Sequence, residues 1–390
     1  MTSQFPTDRK PKRDALLEAV EGVRDVVEAS AIEAEELRTL PRKAVDAIYD
    51  AGLFSLKVPE VLGGAEADPV TQIEVIEAMT RVDTSAGWTL MIGAGSLGLA
   101  SAFVSNEAVP EIFADGRIPR FASSSRPTGT AEPAGGGYIV NGRWPFASGV
   151  LHSEWILAGI PVSKDAAPGG RRIIVFPTSK AEIHDNWHVA GLQGTGSCDF
   201  SLTDLFVPEE FTCDVMNDVP RRGLPLYNIR VPGILAVEHV GFALGAGRRA
   251  LDEITELAQT KSRGVPPSAL IQRSSFQQAI GECDFRLRAA HALAIEIYES
   301  AWQTVCSGDP VSLNAQVEMR GVAAYATHVA LDAASQAFQF AGASALYSTN
   351  VIQRCYRDLS AAAQHGMVSS TSYENHGKLE LGFTEVHALS

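Results

Sequence analysis

No charged residue falls between Asp83 and Glu107. Few folds can house such a stretch. In water an uncharged helix of this length needs protein on nearly every face. In a bilayer it needs more aliphatic bulk than it has. It carries Gly87, Gly93, Gly95 and Gly98 with several serines, few Leu or Ile, and no basic flank. Membrane spans are dense in large aliphatic residues and carry Lys or Arg at one end. The segment therefore predicts a helix enclosed in protein, and the remaining chain must supply the enclosure.

That chain is long enough. Its 390 residues are 45% hydrophobic and 20% charged, as expected of a globular protein with a large core and two or three domains. A net charge of −14 argues against a nucleic-acid partner, which would need clustered Lys and Arg. Arg9, Lys10, Lys12 and Arg13 are not followed by an apolar run, so no signal peptide is read. The 5 cysteines, Cys198, Cys213, Cys283, Cys306 and Cys355, form no C-x-x-C pair, which suits free thiols in a reducing cytoplasm.

The texture changes twice along the chain. Residues 1–117 read as a helical domain: Leu16, Val20, Val23 and Val27 recur at helical spacing, Pro41 opens a helix closed by Ala51-Gly52, and another runs from Pro69 to Arg81. Residues 118–225 read as an antiparallel, barrel-like β-domain, with alternating runs at Arg120–Ser124, Tyr138–Phe146, Trp155–Val162, Arg172–Phe176, Ile183–Val189 and Asp199–Val207. Residues 226–390 read as a four-helix bundle, with helices at Val237–Gln259, Ser274–Ser307, Val311–Phe340 and Val351–His365. The class is α+β.

Two places carry chemistry. The stretch from Gly142 to Trp155 holds Trp144, Phe146, Ser148, His152 and Trp155 beside flexible glycines. Flat rings with a hydroxyl and backbone N–H groups suit a planar cofactor; a hairpin with core aromatics would look the same. His365 ends a helical run after small residues. It suits a neutral imidazole that accepts a proton from a bound phenol or indole, and equally a helix-end cap. Other patterns point nowhere. Gly241, Gly245 and Gly247 lie inside a helix and read as close packing, not as a nucleotide fingerprint. Ser96 and Ser197 sit near glycines but in no nucleophile elbow. His184 and His188 lie on a predicted strand, where that spacing makes no metal pair, and no metal site is expected.

Together these pieces resemble the acyl-CoA dehydrogenase superfamily, and within it the two-component flavin-dependent monooxygenases. The resemblance rests on Gly191-Leu192-Gln193-Gly194-Thr195-Gly196-Ser197 followed by Asp204 to Pro208, on Gln336 to Gly342 ahead of Arg354 to Asp358, and on Trp144 to Gly149. Many dehydrogenases carry a glutamate soon after the Arg-Asp pair; this chain has His365-Gly366-Met367.

The resemblance implies an α+β fold of N-terminal helices, middle antiparallel β-domain and C-terminal four-helix bundle. It implies a homotetramer that takes reduced FAD, or FMN, from a separate NAD(P)H-dependent flavin reductase. The flavin would react with molecular oxygen to a C4a-hydroperoxide and hydroxylate an aromatic small molecule. Ser148 would bond near flavin N5 and act with His365, which would orient or deprotonate the substrate. Trp144 and Phe146 would shape the ring wall, Ala147 would bind the cofactor beside them, and Ser123 and Ser124 would meet its polar edge. Arg263, with Lys261 as alternative, Phe276, Gln339 and Gly342 would hold the rest of the cofactor. His152 would be a surface or wall residue. The small residues Gly93 to Gly98 after Trp88 would widen the pocket for an indole or a polycyclic ring. The competing functions are an FAD-dependent acyl-CoA dehydrogenase using Glu238 or Glu253 as base, and a helical scaffold without flavin.

Overall fold

The uncharged segment is a helix from Thr84 to Phe103, and 94% of its most apolar stretch is buried. A helix apolar all round has no solvent face to turn outward. Its glycines serve packing. A Cβ on Gly93 would stand 3.0 Å from the Phe54 ring, and one on Gly98 would stand 2.3 Å from the Tyr227 hydroxyl. Phe54 and Tyr227 thus occupy the room these glycines leave, which corrects the expectation of a widened pocket at those two positions.

The structure, a computed structural model, describes residues 2–161, 171–264 and 267–389. The helices are α1 (Arg9–Ala29), α2 (Ala31–Leu37), α3 (Arg42–Asp50), α4 (Pro69–Val82), α5 (Thr84–Phe103), α6 (Val109–Ile112), α7 (Gly233–Thr260), α8 (Ser274–Cys306), α9 (Leu313–Ala341), α10 (Val351–Ala362) and α11 (Thr371–Glu380). The strands are β1 (Phe121–Ser124), β2 (Thr130–Ala134), β3 (Gly137–Trp144), β4 (Trp155–Pro161), β5 (Arg171–Pro177), β6 (Glu182–Ile183), β7 (Phe200–Pro208), β8 (Thr212–Cys213), β9 (Ser262–Arg263) and β10 (Ser268–Ala269). Packing divides the chain into two units. The first is Met1–Asp68, Trp88–His188 and Gln193–Val231; the second is Pro69–Gly87, Val189–Leu192 and Pro232–Ser390.

In the first unit the strands form two four-stranded sheets, β1-β4-β5-β8 and β2-β3-β7-β6. Among the described residues both are open sheets with edges, so the barrel-like closure is not seen. Nor is the pairing wholly antiparallel: β1 and β4 run parallel, Phe121 opposite Trp155 through Ser124 opposite Ala158. The chain leaves β1, builds β2 and β3 in the other sheet, and returns to β4, and such an excursion permits a parallel pair. Strand β6 stops at Ile183 instead of running to Val189. Beyond it Asp185 is drawn to Arg38 (2.5 and 3.0 Å), and Asn186 Oδ1 accepts from the Asp199 N–H. The expected end of the fourth strand at Val162 lies outside the described residues. Strand β2 was not legible because Pro133 breaks its ladder; it survives at the sheet edge, where proline is tolerated.

In the second unit α7 packs on α4, α8, α9 and α10. A Cβ on Gly241 would stand 2.5 Å from the Ile73 carbonyl, and one on Gly245 2.5 Å from that of Glu77. These glycines let α4 and α7 touch backbone to backbone, as their place inside a helix suggested. Helix α10 stops at Ala362, three residues short of His365, and α11 adds a helix beyond the four expected. Asp358 on α10 is fully buried. It accepts the Leu192 N–H at 2.5 Å and the Thr84 hydroxyl, and burial raises its pKa to about 6. This carboxyl fixes the segment Val189–Leu192 against α10.

Candidate active site

Strand β3 ends in two unusual turns. Phe146 has φ +63° and Gly149 φ +77°, both left-handed, and Ser148 lies between them. A phenylalanine there is costly and holds only where neighbours fix the backbone. They do: Ala147 N–H donates to Cys198 O (3.1 Å), Ser148 N–H to Phe146 O (3.0 Å) and Gly149 N–H to Thr195 O (2.9 Å). An isolated bridge pairs Ser148 with Ser123. The Ser148 side chain, 5% exposed, accepts from Trp88 Nε1–H at 3.0 Å and lies 2.7 Å from Ser197 Oγ, which lies 2.7 Å from Thr195 Oγ1. Trp88, Ser197 and Thr195 are buried as well. None of these three was expected to contact the cofactor: Ser197 was weighed only as a nucleophile, Trp88 only marked the start of the small-residue run, and Thr195 and Ser197 lie in the Gly191–Ser197 signature.

The neighbouring candidates divide. Trp144 is 0% exposed, stacked on Phe200 at 5.3 Å with its Nε1–H on Gly159 O (2.7 Å). It is a core residue and offers no face to a ligand, which corrects its expected wall role. Phe146 is 58% exposed, its ring edge-on to Trp187, and does offer one. Ala147 is buried. Ser123 and Ser124 are adjacent on β1 and so point to opposite faces. Ser123 Oγ lies 2.7 Å from Ser96 Oγ, whereas Ser124 Oγ donates to Pro145 O at 2.6 Å. Both cannot meet one ring edge; Ser124 holds the strand. His152 presses its imidazole on Gly149, with Nε2 2.9 Å from where a Cβ would stand. Its Nδ1 is buried without a hydrogen-bond partner, and burial with the nearby Arg120 charge lowers it to about 4. It is a wall residue, partly buried.

The second unit holds His365 as the cap of a short 3-10 turn, Gly366–Val368, whose carbonyls Gly366 O and Met367 O are held by Arg320. Its Nδ1 accepts the Met367 N–H at 3.2 Å. A neutral imidazole has one N–H, so that proton sits on Nε2. The residue is exposed at its surface, and the protein crowded around its ring still holds the imidazole below its ordinary range, at about 4. With Nδ1 engaged, the ring proton sits on Nε2, and the capping role is present. His239, buried on α7, stands with its ring 4.5 Å from that of His365 and was not foreseen. Of the alternative bases, Glu238 is buried on α7, and Glu253 is paired with Arg249 at 2.8 Å.

The remaining cofactor candidates also lie in the second unit. Phe276 is buried against Phe340 at 5.2 Å, and Lys261 Nζ donates to Ser344 Oγ at 2.6 Å. Gln339 and Gly342 sit on the same helix end, Gln339 exposed and Gly342 at φ +54°. The Arg263 backbone pairs with Ser268, and its side chain lies outside the described residues. Among the described residues no three His, Cys, Asp or Glu cluster as metal ligands.

A reduced flavin presents an N–H at N5 and a flat apolar ring, so an acceptor at that edge and an aromatic wall suit it. Ser148, fixed from behind by an indole N–H and a second hydroxyl, and the open ring of Phe146 meet those needs, so this donor set fits the group.

The chain is also similar to known proteins. A family model for the acyl-CoA dehydrogenase N-terminal domain matches residues 12–109, and one for the acyl-CoA dehydrogenase C-terminal domain matches residues 237–370. Indole-3-acetate monooxygenase of Pseudomonas putida is 31% identical over 374 residues, 95% of this chain and 94% of that protein. The oxygenase subunit HsaA of a flavin-dependent monooxygenase from Mycobacterium tuberculosis (strain ATCC 25618 / H37Rv) is 29% identical over 372 residues, 91% and 92% of the two chains. The solved structure of XiaF from Streptomyces sp., in complex with FADH2 and glycerol, superimposes with a TM-score of 0.88 at 27% identity, covering 96% of this chain and 97% of that one.

Proposed function

The chain belongs to the acyl-CoA dehydrogenase family, as an oxygenase component of the flavin-dependent monooxygenases, and from that premise we propose that it hydroxylates a bulky aromatic ring, of indole or polycyclic phenolic type. Indole-3-acetate monooxygenase, whose name gives an aromatic substrate, supports this reading. The cofactor is reduced FAD, delivered by an NAD(P)H-dependent reductase. The enzyme is a cytoplasmic homotetramer.

One observation carries the reading: the position after the Arg-Asp pair holds a histidine whose Nδ1 accepts the Met367 N–H, where a dehydrogenase would need a carboxylate base. Reduced flavin, when bound, supplies with dioxygen the electrophilic oxygen. The chain's own residues do the rest. Ser148 holds the cofactor's edge, and Phe146 covers its face. His365 Nε2–H donates to a ring substituent of the substrate, an indole carboxylate or a phenol oxygen, and so sets which carbon is attacked. Buried surroundings keep stray protons away from the Ser148 edge.

The test follows oxygen uptake, hydrogen peroxide and hydroxylated product together, with reduced FAD and a panel of indoles and phenols. Ser148→Ala is expected to divert most oxygen to hydrogen peroxide. Efficient hydroxylation of simple phenols with no turnover of any indole or polycyclic ring would sink the substrate class. Bleaching of tightly bound oxidised FAD by an acyl-CoA thioester would return the dehydrogenase reading.

A further inference from the structure

Trp88 Nε1, Ser148 Oγ, Ser197 Oγ and Thr195 Oγ1 form a row spaced 3.0, 2.7 and 2.7 Å. All four side chains are buried. An indole N–H can only donate, so it always occupies one lone pair of Ser148. Each hydroxyl in the row has one proton to place. In one arrangement Thr195 donates to Ser197 and Ser197 to Ser148. Ser148 then accepts twice, and its own proton must point out of the row. In the other, Ser148 donates to Ser197 and Ser197 to Thr195, which leaves Ser148 a lone pair facing outward. Both O···O distances suit either direction. Only hydroxyl hydrogens rotate between the two; no heavy atom moves.

Flavin N5 changes character on reduction. In the oxidised ring it is a bare acceptor; in the reduced ring it is an N–H donor. A serine locked as donor would suit only the first, and one locked as acceptor only the second. We propose that Ser197, backed by Thr195, is a positioning residue that lets Ser148 present either a donor or an acceptor, so that one serine matches both redox forms of the cofactor. This rests on the reading of Ser148 as a flavin contact.

Ser197→Ala removes the acceptor behind Ser148. The Ser148 proton is then left pointing outward, against the N–H of reduced flavin. Anaerobic titrations with FADH2 and FAD, together with the midpoint potential of the bound flavin, measure the effect. The dissociation constant for FADH2 is expected to rise about tenfold while that for FAD stays within about twofold, which lowers the bound potential by about 30 mV. Ser197→Thr, which returns the hydroxyl, should restore the potential. Thr195→Val should shift it the same way by less, and serves if Ser197→Ala melts early. Equal weakening of both redox forms, or an unchanged potential, overturns the proposal. Ser148→Ala separates the two levels: if it changes the binding of neither form, the flavin contact itself is wrong. If it weakens binding while Ser197→Ala leaves the potential unmoved, only the relay fails.

Discussion

The row at Ser148 and the turn at His365 solve opposite problems. Along the row every hydroxyl is buried and has a neighbour within 3.0 Å. At His365 one ring nitrogen is tied to Met367, and the residue is exposed. A cofactor has a fixed shape, so its contact gains from being held before it arrives. A substrate contact must tolerate a variable ring and gains less from being held beforehand. Changes should hurt differently: deletions in the row should act on flavin affinity and, at Ser148, also release hydrogen peroxide, whereas deletions at the turn should lower product formation and leave flavin affinity alone.

The largest expected effect breaks the histidine side. His365→Ala should lower product formation by about 100-fold or more while oxygen uptake continues, as for loss of one oriented donor. His365→Gln keeps an N–H and should recover most of it. A proton-accepting histidine would show no such rescue, so the Ala and Gln rates measured together decide the role.

Next comes the buried carboxyl of the second unit. Asp358→Ala would leave the buried donors of Leu192 and Thr84 unmatched, a loss of about 3 kcal/mol read from the denaturation midpoint. Asp358 also titrates with a definite sign. Its pKa is raised from 3.8 to about 6 in the folded state, so its contribution is fully present below 3.8 and is lost as pH rises through 6. His365 runs the other way: lowered from 6.5 to about 4, its contribution is present above 6.5 and is lost as pH falls through 4. Denaturation curves of Asp358→Asn and His365→Gln across that window should differ from the parent with opposite slopes. The smallest effect sharpens the row: Trp88→Phe keeps the ring and removes one donor, worth about 1 kcal/mol, and flavin affinity should fall a few-fold.

How much of this was legible in the sequence depends on whether neighbours in space were neighbours in the chain. The long helices and the uncharged segment announce themselves through spacing, and so do β3, β4, β5 and β7. Ser148 and His365 stood out because each sits in a local pattern. Ser197, Thr195 and Trp88 did not, because a hydroxyl becomes meaningful only when another segment comes within 3 Å. Trp144 misled for the same reason: an aromatic at a strand end looks alike whether it faces a ligand or, as here, Phe200. The parallel β1–β4 pair was missed since alternation shows which residues are buried but not which strand lies alongside.

That parallel pair also encloses a loop. The chain between Ser123 and Ser148 doubles back as the β2–β3 hairpin. The hairpin is the loop whose closure sets the entropy of forming the serine edge, and doubling such a loop costs only about 0.6 kcal/mol. Its tip, Gly135–Gly136, has open space around both glycines. A peptide tag or reporter grafted there would lengthen the loop at small cost, making the tip a natural handle for following flavin arrival without touching the residues that receive it.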